Sequence, residues 1–361
     1  MKGKFLSEQF VDCLKEGNTS EAISMMYRIG DHVHDLYGAK SLLAVAREFK
    51  NEEVAEALEE MGVKDFVDEE KVKELGKELI KKAEKGDLEA VIELIEKGAN
   101  INVENSHGET ALLMASKYNH TEVVEKLAEA GANLDEPDWM GFTALWWASF
   151  NGCLKNVDTL IEKGVDVNEE DSYTESVLMV AAKKGHIEVV DKLIRAGASS
   201  STEALMVAAK EGHTEVVDRL IKAGADVDES NKFNETALMV ATKEGHSEVV
   251  DRLIKAGADV DKRNEFYETA LMVAAKEGHT EVVDRLIKAG ADVNSYNKFN
   301  ETALVYAAKE GHTEVLESLI KAVGRTNSST GIALPVVDRK TKNQSPDLSI
   351  IDKIRGVFDR R

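Results

Sequence analysis

Six histidines recur along the chain, and they are the first residues whose chemistry must be considered. Imidazole is a common metal ligand, but a bound metal needs each ligand atom about 2 Å away. From His186 onwards, successive histidines are 27, 33, 33 and 33 residues apart. Stacked units with this spacing would hold them roughly 10 Å apart. We therefore predict a structural role and no metal site. The histidines are His120, His186, His213, His246, His279 and His312.

Other candidate chemistry in the sequence is equally weak. The segment Asp226-Val227-Asp228 and its copies suggest calcium ligands, but they lack the loop glycine and the terminal bidentate glutamate of a calcium loop. Cys13 and Cys153 stand far apart, without the His and Asn partners that would activate a thiol. The sequence has no phosphate-binding glycine loop and no nucleophile elbow. We expect no enzymatic activity, no cofactor and no metal.

A period of 33 residues organises the sequence. The segment that starts at Glu235 recurs almost unchanged from Glu268 and again from Glu301. The same frame extends back towards the N-terminus and gives about ten repeats, of which the first two are degenerate. Two steps differ, because His213 follows His186 after 27 residues and Asp87 follows Asn51 after 36.

Each repeat is predicted to form a helix, a turn, a second helix and a hairpin loop. In one copy, a short helix over 237–244 has Thr236 as its N-terminal cap. Gly245 ends this helix, because glycine tolerates the left-handed conformation. A second helix follows over 247–256.

The second helix is predicted to be amphipathic. On its polar face Glu248 and Arg252, like Asp251 and Lys255, are four residues apart, which predicts ion pairs of a few tenths of a kcal/mol each. One unit cannot bury its own apolar face, so neighbouring repeats must stack. The apolar face consists of Val249, Val250, Leu253 and Ile254.

The repeat resembles that of the ankyrin family, strongly over residues 72–322 and weakly over 1–71. The matching residues are Thr236-Ala237-Leu238-Met239, Gly245-His246, Val249-Val250, Leu253-Ile254 and Gly257-Ala258-Asp259-Val260. The resemblance implies an all-α repeat solenoid, in which stacked helix-turn-helix repeats are connected by hairpin loops. It also implies a concave groove lined by hairpin tips and inner helices, and a role in binding proteins.

A hydrophobic residue recurs at the hairpin tip, three residues before the threonine cap. Tips are usually polar, so this row indicates either a binding strip or rings that fold onto the adjacent tip and seal the row. We favour the binding strip, which Tyr267 would extend. The residues at this position are His107, Met140, Tyr173, Phe233, Phe266 and Phe299.

The fifth repeat is rich in aromatic residues. Its tip and first helix contain Trp139, Met140, Phe142, Trp146, Trp147 and Phe150. We expect Trp146 and Trp147 to pack in the core. Phe150 occupies the groove position and is expected to be exposed, and we include it with Trp139, Met140 and Phe142 among the candidate partner-binding residues.

Two rows of charge are predicted to face the groove. They either pair within the molecule and keep the groove solvated, or they form a charge pattern that a partner recognises. Lys243 and Lys276 are included among the candidate partner-binding residues. The rows are Lys117, Lys183, Lys210, Lys243, Lys276 and Lys309, and Glu109, Glu175, Glu235, Glu268 and Glu301.

The irregular segments divide the chain further. Ser199-Ser200-Ser201-Thr202 replaces a hairpin, which predicts a gap in the tip row that is either neutral or a notch for a bulky partner element. Residues 1–71 are expected to form degenerate capping repeats, and 72–322 the repeat array. Residues 323–346 suggest a flexible linker, and 347–361 a short amphipathic helix that either caps the array or docks elsewhere.

The composition restricts the possible partners. A net charge of −21 disfavours nucleic acid and favours partner proteins that are basic or carry an apolar strip. The absence of a long apolar run predicts no stable membrane insertion. The distant cysteines fit a reducing compartment, so we expect a cytoplasmic protein, or one delivered into a host cytosol without a classical signal peptide.

The sequence therefore predicts a protein-interaction scaffold that is monomeric alone. Two alternatives remain open: a bacterial effector that acts in a host cell through its repeats, and a non-catalytic targeting subunit of an enzyme complex.

Overall fold

The computed structural model describes residues 2–29, 36–37, 40–61, 63, 68–168, 171, 175–199 and 201–330. Within these residues the chain forms twenty α-helices and one two-stranded antiparallel ribbon. It divides into two compact units, Met1–Glu175 and Ser176–Arg361. The predicted all-α repeat architecture is confirmed.

The first unit contains ten helices arranged as consecutive pairs. Strands β1 (Leu36–Tyr37) and β2 (Lys40–Ser41) precede the third helix, with Leu36 opposite Ser41. The helices are α1 (Lys2–Lys15), α2 (Thr19–Ile29), α3 (Leu42–Glu48), α4 (Glu52–Glu60), α5 (Glu69–Glu84), α6 (Leu88–Glu96), α7 (Ala111–Lys117), α8 (Thr121–Glu129), α9 (Ala144–Asn151) and α10 (Leu154–Glu162).

The second unit contains the other ten helices. The first helices of its pairs stack on one another in chain order, and so do the second helices. They are α11 (Val177–Lys184), α12 (Ile187–Arg195), α13 (Ser201–Glu211), α14 (Thr214–Lys222), α15 (Ala237–Glu244), α16 (Ser247–Lys255), α17 (Ala270–Glu277), α18 (Thr280–Lys288), α19 (Ala303–Glu310) and α20 (Thr313–Thr330).

Local chemistry sets the ends of the first helix in each pair. The Thr236 hydroxyl accepts a hydrogen bond from the Met239 amide at 3.4 Å and caps α15, as the sequence predicted. Gly245 follows the helix with φ +79°, a conformation that costs a residue with a side chain about 1–2 kcal/mol. The same Thr or Ser cap opens α7, α9, α11, α17 and α19.

The core is built from buried apolar residues of both helices in each pair, and the second helices contribute one apolar stripe. Val249, Val250 and Leu253 of α16 are buried, and Ile254 is half-buried. Burying each such side chain contributes roughly 1.5–3 kcal/mol, so stacking supplies most of the stability of these short helices. In the first unit, six apolar residues of the N-terminal segment are also buried: Met25, Met26, Leu42, Leu43, Val54 and Leu58.

The predicted pairing four residues apart on the second helices forms at Arg285, which lies 2.7 Å from Glu281, but not at Arg252. Arg252 does not pair with Glu248 in its own helix but lies 3.3 Å from Asp218 of the preceding repeat. Arg219 likewise contacts Asp191 at 2.7 Å. These arginines therefore connect repeats, because stacking places the preceding helix as close as the next turn.

Two irregular segments also differ from their predicted structure. Helix α20 continues to Thr330, so the first part of the segment expected to be a linker is helical. Helix α13 begins at Ser201, so the shortened repeat uses part of its polar segment to lengthen its first helix. The predicted C-terminal helix over 347–361 lies outside the described residues.

Candidate functional site

The hairpin tips of the second unit are held by a recurring asparagine. The Asn231 carboxamide oxygen accepts hydrogen bonds from the amides of Phe233 (2.9 Å) and Glu235 (3.0 Å). Its Nδ2 donates to the Glu235 carboxylate at 3.0 Å. Asn264 and Asn297 make the same three contacts in the next two hairpins. Each tip is thus a closed loop that presents the residue two positions after the asparagine.

Backbone hydrogen bonds join each tip to the next. The Glu265 amide donates to the Phe233 carbonyl at 3.0 Å, and the Lys298 amide donates to the Phe266 carbonyl at 3.1 Å. The main chain of the aromatic residues is therefore fixed while their side chains project outwards.

The tip rings remain accessible to solvent. Phe233, Phe266 and Tyr267 are 45%, 49% and 50% exposed, and Phe299 is 70% exposed. No ring-to-ring contact joins these four within the described residues, which argues against rings that seal the row. Instead, Lys298 Nζ lies 5.1 Å from the centre of the Tyr267 ring.

Tyr267 has an unusual backbone conformation. Its φ is +63°, in the left-handed region, where the neighbouring hairpins have Asn234 and Asn300. Asparagine tolerates this region better than tyrosine does. The chain therefore tolerates local backbone strain at a tip that carries two adjacent aromatic residues.

A concavity of about 350 Å³ lies between these tips and the first helices behind them. We call it the lysine–aromatic concavity. Val273 and Met239 also line it, so it combines apolar surface with charge. Its principal lining residues are Lys243, Phe266, Glu268, Lys276, Phe299 and Tyr306.

Four of the predicted binding residues are therefore brought together by the structure, namely Lys243, Phe266, Lys276 and Phe299. A larger concavity of about 540 Å³ beside α5 is a weaker candidate. Its lining is Glu69, Val72, Lys73, Asn100 and Val103, without an aromatic anchor.

The predicted ion pairs of the groove form in some repeats and not in others. Lys117 lies 2.7 Å from Glu109, and Lys309 pairs with Glu301. Burial acts to raise the pKa of Glu109, but hydrogen bonds from Asn105 and Lys117 outweigh it and lower the pKa overall.

The corresponding lysines of the two repeats between 235 and 277 are different. Lys243 and Lys276 make no ion pair with any residue that the structure describes, although Glu235 and Glu268 stand eight residues before them. The Tyr306 hydroxyl donates to Glu268 Oε1 at 2.6 Å, and Lys276 Nζ lies 5.7 Å from the Tyr306 ring centre. Burial, and then the hydrogen bond to Glu268, raise the pKa of Tyr306, so it remains a neutral donor.

The aromatic residues of the fifth repeat form a cluster in the first unit. The Trp146 ring centre lies 4.1 Å from that of Phe142, 5.1 Å from Trp147 and 5.2 Å from Phe150. Trp146 is buried as predicted, whereas Trp147, Phe142 and Phe150 are half-buried. Phe142 and Phe150 thus contribute to internal packing as well as to the surface.

The remaining predicted residues are placed as follows. Trp139 is 72% exposed and packs over Gly108 of the preceding hairpin, where a side-chain carbon would lie 2.5 Å from Trp139 Cδ1. Met140 is 48% exposed. Tyr173 lies outside the described residues.

The recurring histidines form contacts between repeats. His279 Nε2 lies 3.0 Å from the Lys243 carbonyl of the preceding repeat. Because a carbonyl oxygen only accepts hydrogen bonds, this nitrogen carries the proton. A side chain at Gly245 would clash with the His279 ring, so the glycine is needed for space as well as for its φ. His120, His213, His246 and His312 bond preceding carbonyls in the same way.

The repeated aspartates also have a structural role that the sequence did not reveal. Asp228 Oδ1 accepts the Asp259 amide at 2.9 Å, and Asp261 Oδ1 accepts the Asp292 amide at 2.8 Å. The only sequence signal was the repetition itself, which did not distinguish ion ligands from backbone acceptors.

Metal-binding clusters and membrane-spanning helices are not found in the described part of the chain. There, no three His, Cys, Asp or Glu side chains are grouped so that they could hold a metal ion. Burial raises the pKa of the Cys13 thiol, as do Glu21, Glu16 and Asp12, which keeps it protonated. No helix among these residues has the length and apolar character to cross a bilayer.

Comparison with known proteins identifies the repeat. A protein-family model described as ankyrin repeats matches three segments, residues 79–171, 178–264 and 256–330. Together they cover about two thirds of the chain. A search of curated proteins found no match.

Proposed function

The chain belongs to the ankyrin repeat family, and from this we propose that it is a non-enzymatic scaffold whose lysine–aromatic concavity binds a partner protein. Ankyrin repeats are in general protein-interaction modules. The observation that supports this particular surface is the grouping of exposed Phe266 and Phe299 with two lysines that have no ion-pair partner among the described residues.

The exposed rings of Phe266 and Phe299 are held in a fixed geometry before any partner binds. Aromatic residues dominate the energetics of protein interfaces because they bury a large area with few rotatable bonds. The asparagine at the base of each tip and the tip-to-tip hydrogen bonds hold Phe266 and Phe299 in place before binding. Binding would therefore order few additional groups, which lowers its entropic cost.

The test compares two variants with matched folds. Wild-type chain, Phe266→Ala/Phe299→Ala and Phe233→Ala are used to capture proteins from cell extract, and each captured protein is then purified for affinity measurement. Phe233 is the control, because it occupies the same tip position and the same asparagine loop but does not line the concavity.

We expect the double variant to bind at least tenfold more weakly, or about 1.4 kcal/mol, and Phe233→Ala to bind nearly as well as wild type. Circular dichroism must show equal helix content in all three. If every captured protein binds the double variant as tightly as wild type, the concavity is not the binding surface.

A further inference from the structure

The charge contacts of the lysine–aromatic concavity indicate what kind of segment binds there. We propose, building on the function above, that the partner is an acidic segment with an apolar residue. Its carboxylate would lie against Lys243 and Lys276, and its apolar side chain against Phe266 and Phe299.

The first step is the comparison of repeats in register. The lysine at this position is neutralised by the glutamate eight residues before it in the Lys117 and Lys309 repeats. Lys243 and Lys276 have no such neutralisation among the described residues, and both are exposed at the concavity. Equivalent lysines are therefore ion-paired in some repeats and not in others, and the two without an ion pair lie beside the exposed rings.

The second step is the cause of this difference at Lys276. In the Lys309 repeat the lysine contacts Glu301 Oε1, while Asn297 holds Oε2. In the Lys276 repeat Asn264 again holds Oε2 of Glu268, at 2.9 Å, but the Tyr306 hydroxyl holds Oε1. Tyr306 occupies the position of Val240 and Val273 in the repeats before it. The tyrosine therefore takes the acceptor that the lysine would otherwise use.

The third step concerns the acidic groups of the concavity. Glu235, Glu268 and Glu277 also line it, so its net charge alone does not select a partner. Glu268 already accepts two hydrogen bonds, and Glu235 accepts one from Asn231. A partner carboxylate would meet two ammonium groups without an ion pair, whereas a partner cation at Glu268 would compete with the donors that already hold it. Glu277 has no such donor among the described residues, so the charge-reversal variants below must decide between the two signs of charge. Charge-assisted hydrogen bonds to the two lysines would set orientation and specificity.

The experiment selects ligands from random sequences and needs no identified partner. A phage-displayed library of random dodecapeptides is panned on the immobilised full chain, and the enriched peptides are synthesised for fluorescence-polarisation titration. A synthetic peptide of residues 345–361, which has four basic and three acidic side chains beside its apolar residues, is titrated as a competitor from the chain itself.

Four variants of the full chain are compared with wild type. Lys243→Glu/Lys276→Glu reverses the proposed charges, and Lys222→Glu/Lys255→Glu makes the same change in charge on the second helices. Tyr306→Phe keeps the ring but frees Glu268 Oε1 to pair with Lys276. Phe266→Ala/Phe299→Ala tests the concavity itself. Thermal melts establish that each variant is folded.

We expect enriched peptides to combine Asp or Glu with an apolar residue. Their affinity should fall at least tenfold with Lys243→Glu/Lys276→Glu and severalfold with Tyr306→Phe, and should change less than twofold with Lys222→Glu/Lys255→Glu. Peptides without acidic enrichment, or peptides that bind the charge-reversal variant normally, overturn the charge inference. So does a library that yields no binder.

The proposed function fails separately. If the selected peptides bind Phe266→Ala/Phe299→Ala as tightly as wild type, the concavity is not the site. If they lose affinity for that variant but are not acidic, the concavity stands and only its partner chemistry is wrong.

Discussion

Replacing Asn156 by valine is expected to stabilise the first unit. Asn156 lies in α10 with no exposed surface, and neither its Oδ1 nor its Nδ2 has a hydrogen-bond partner within the described residues. Valine occupies this position in six other repeats of the array and is buried there, at Val123, Val189, Val216, Val249, Val282 and Val315. Asparagine and valine are similar in size, so the exchange creates no large cavity.

The expected magnitude follows from the two amide atoms. A buried polar group without a partner costs about 1–3 kcal/mol, and a valine side chain gains stability from burial at the same place. We therefore expect Asn156→Val to raise the free energy of unfolding of this region by about 1–3 kcal/mol. At about 2–4 °C per kcal/mol for a unit of this size, Tm should rise by about 2–12 °C.

Tryptophan fluorescence is a local assay for this change. All three tryptophans lie between residues 139 and 147, in or just before α9, which packs against α10. Urea titrations followed by fluorescence therefore report this repeat, and circular dichroism reports the whole chain. Val249→Asn is the matched reverse exchange and should destabilise the second unit.

One outcome would refute the reasoning. If Asn156→Val leaves the urea midpoint unchanged or lowers it with the slope unchanged, the amide is hydrogen-bonded in the folded protein. A buried water would be the first such partner to look for.

Three further perturbations test other parts of the structure. Tyr267→Asn removes a tyrosine from the left-handed region and should stabilise the chain by about 0.5–1 kcal/mol in urea titrations, while weakening partner binding; lower stability would contradict the strain. His279→Ala removes the bond to the Lys243 carbonyl and should cost about 1 kcal/mol in the same assay, whereas an unchanged midpoint would mean that the contact contributes nothing. The pKa of Glu109 is held below its usual 4.5, so the stability that its carboxylate contributes is complete above pH 4.5 and is lost as the pH falls through the lowered value. Glu109→Gln should therefore lose less stability between pH 7 and pH 3 than wild type does. An identical pH dependence of the two proteins would contradict this.

The fold could be predicted because one pattern recurs. Threonine before an apolar helix, glycine after it and paired valines in the next helix determine local structure, and their repetition at a fixed period determines the stacking. The ends of the array were harder to place. Glycine and serine after residue 322 suggested a linker, but α20 extends through them to Thr330.

The candidate site could be predicted only in part. The exposure of Phe233, Phe266 and Phe299 followed from their position at hairpin tips. The unpaired state of Lys276 did not, because it depends on which neighbouring side chain reaches the Glu268 carboxylate. A single tyrosine, Tyr306, binds one oxygen of that carboxylate, and a periodic sequence pattern does not reveal such an exception.

Three kinds of contact between repeats have a common direction. The His279 ring, the Asp259 amide and the Arg252 guanidinium are donors, and each reaches an acceptor in the repeat before it. A chain leaving the ribosome exposes its N-terminal repeats first. Each repeat that has folded therefore presents carbonyl and carboxylate oxygens, which water solvates well, until the next repeat emerges with the matching donors. Synthesis would extend the array one repeat at a time, and each arriving repeat would be guided into register by the acceptors already in place.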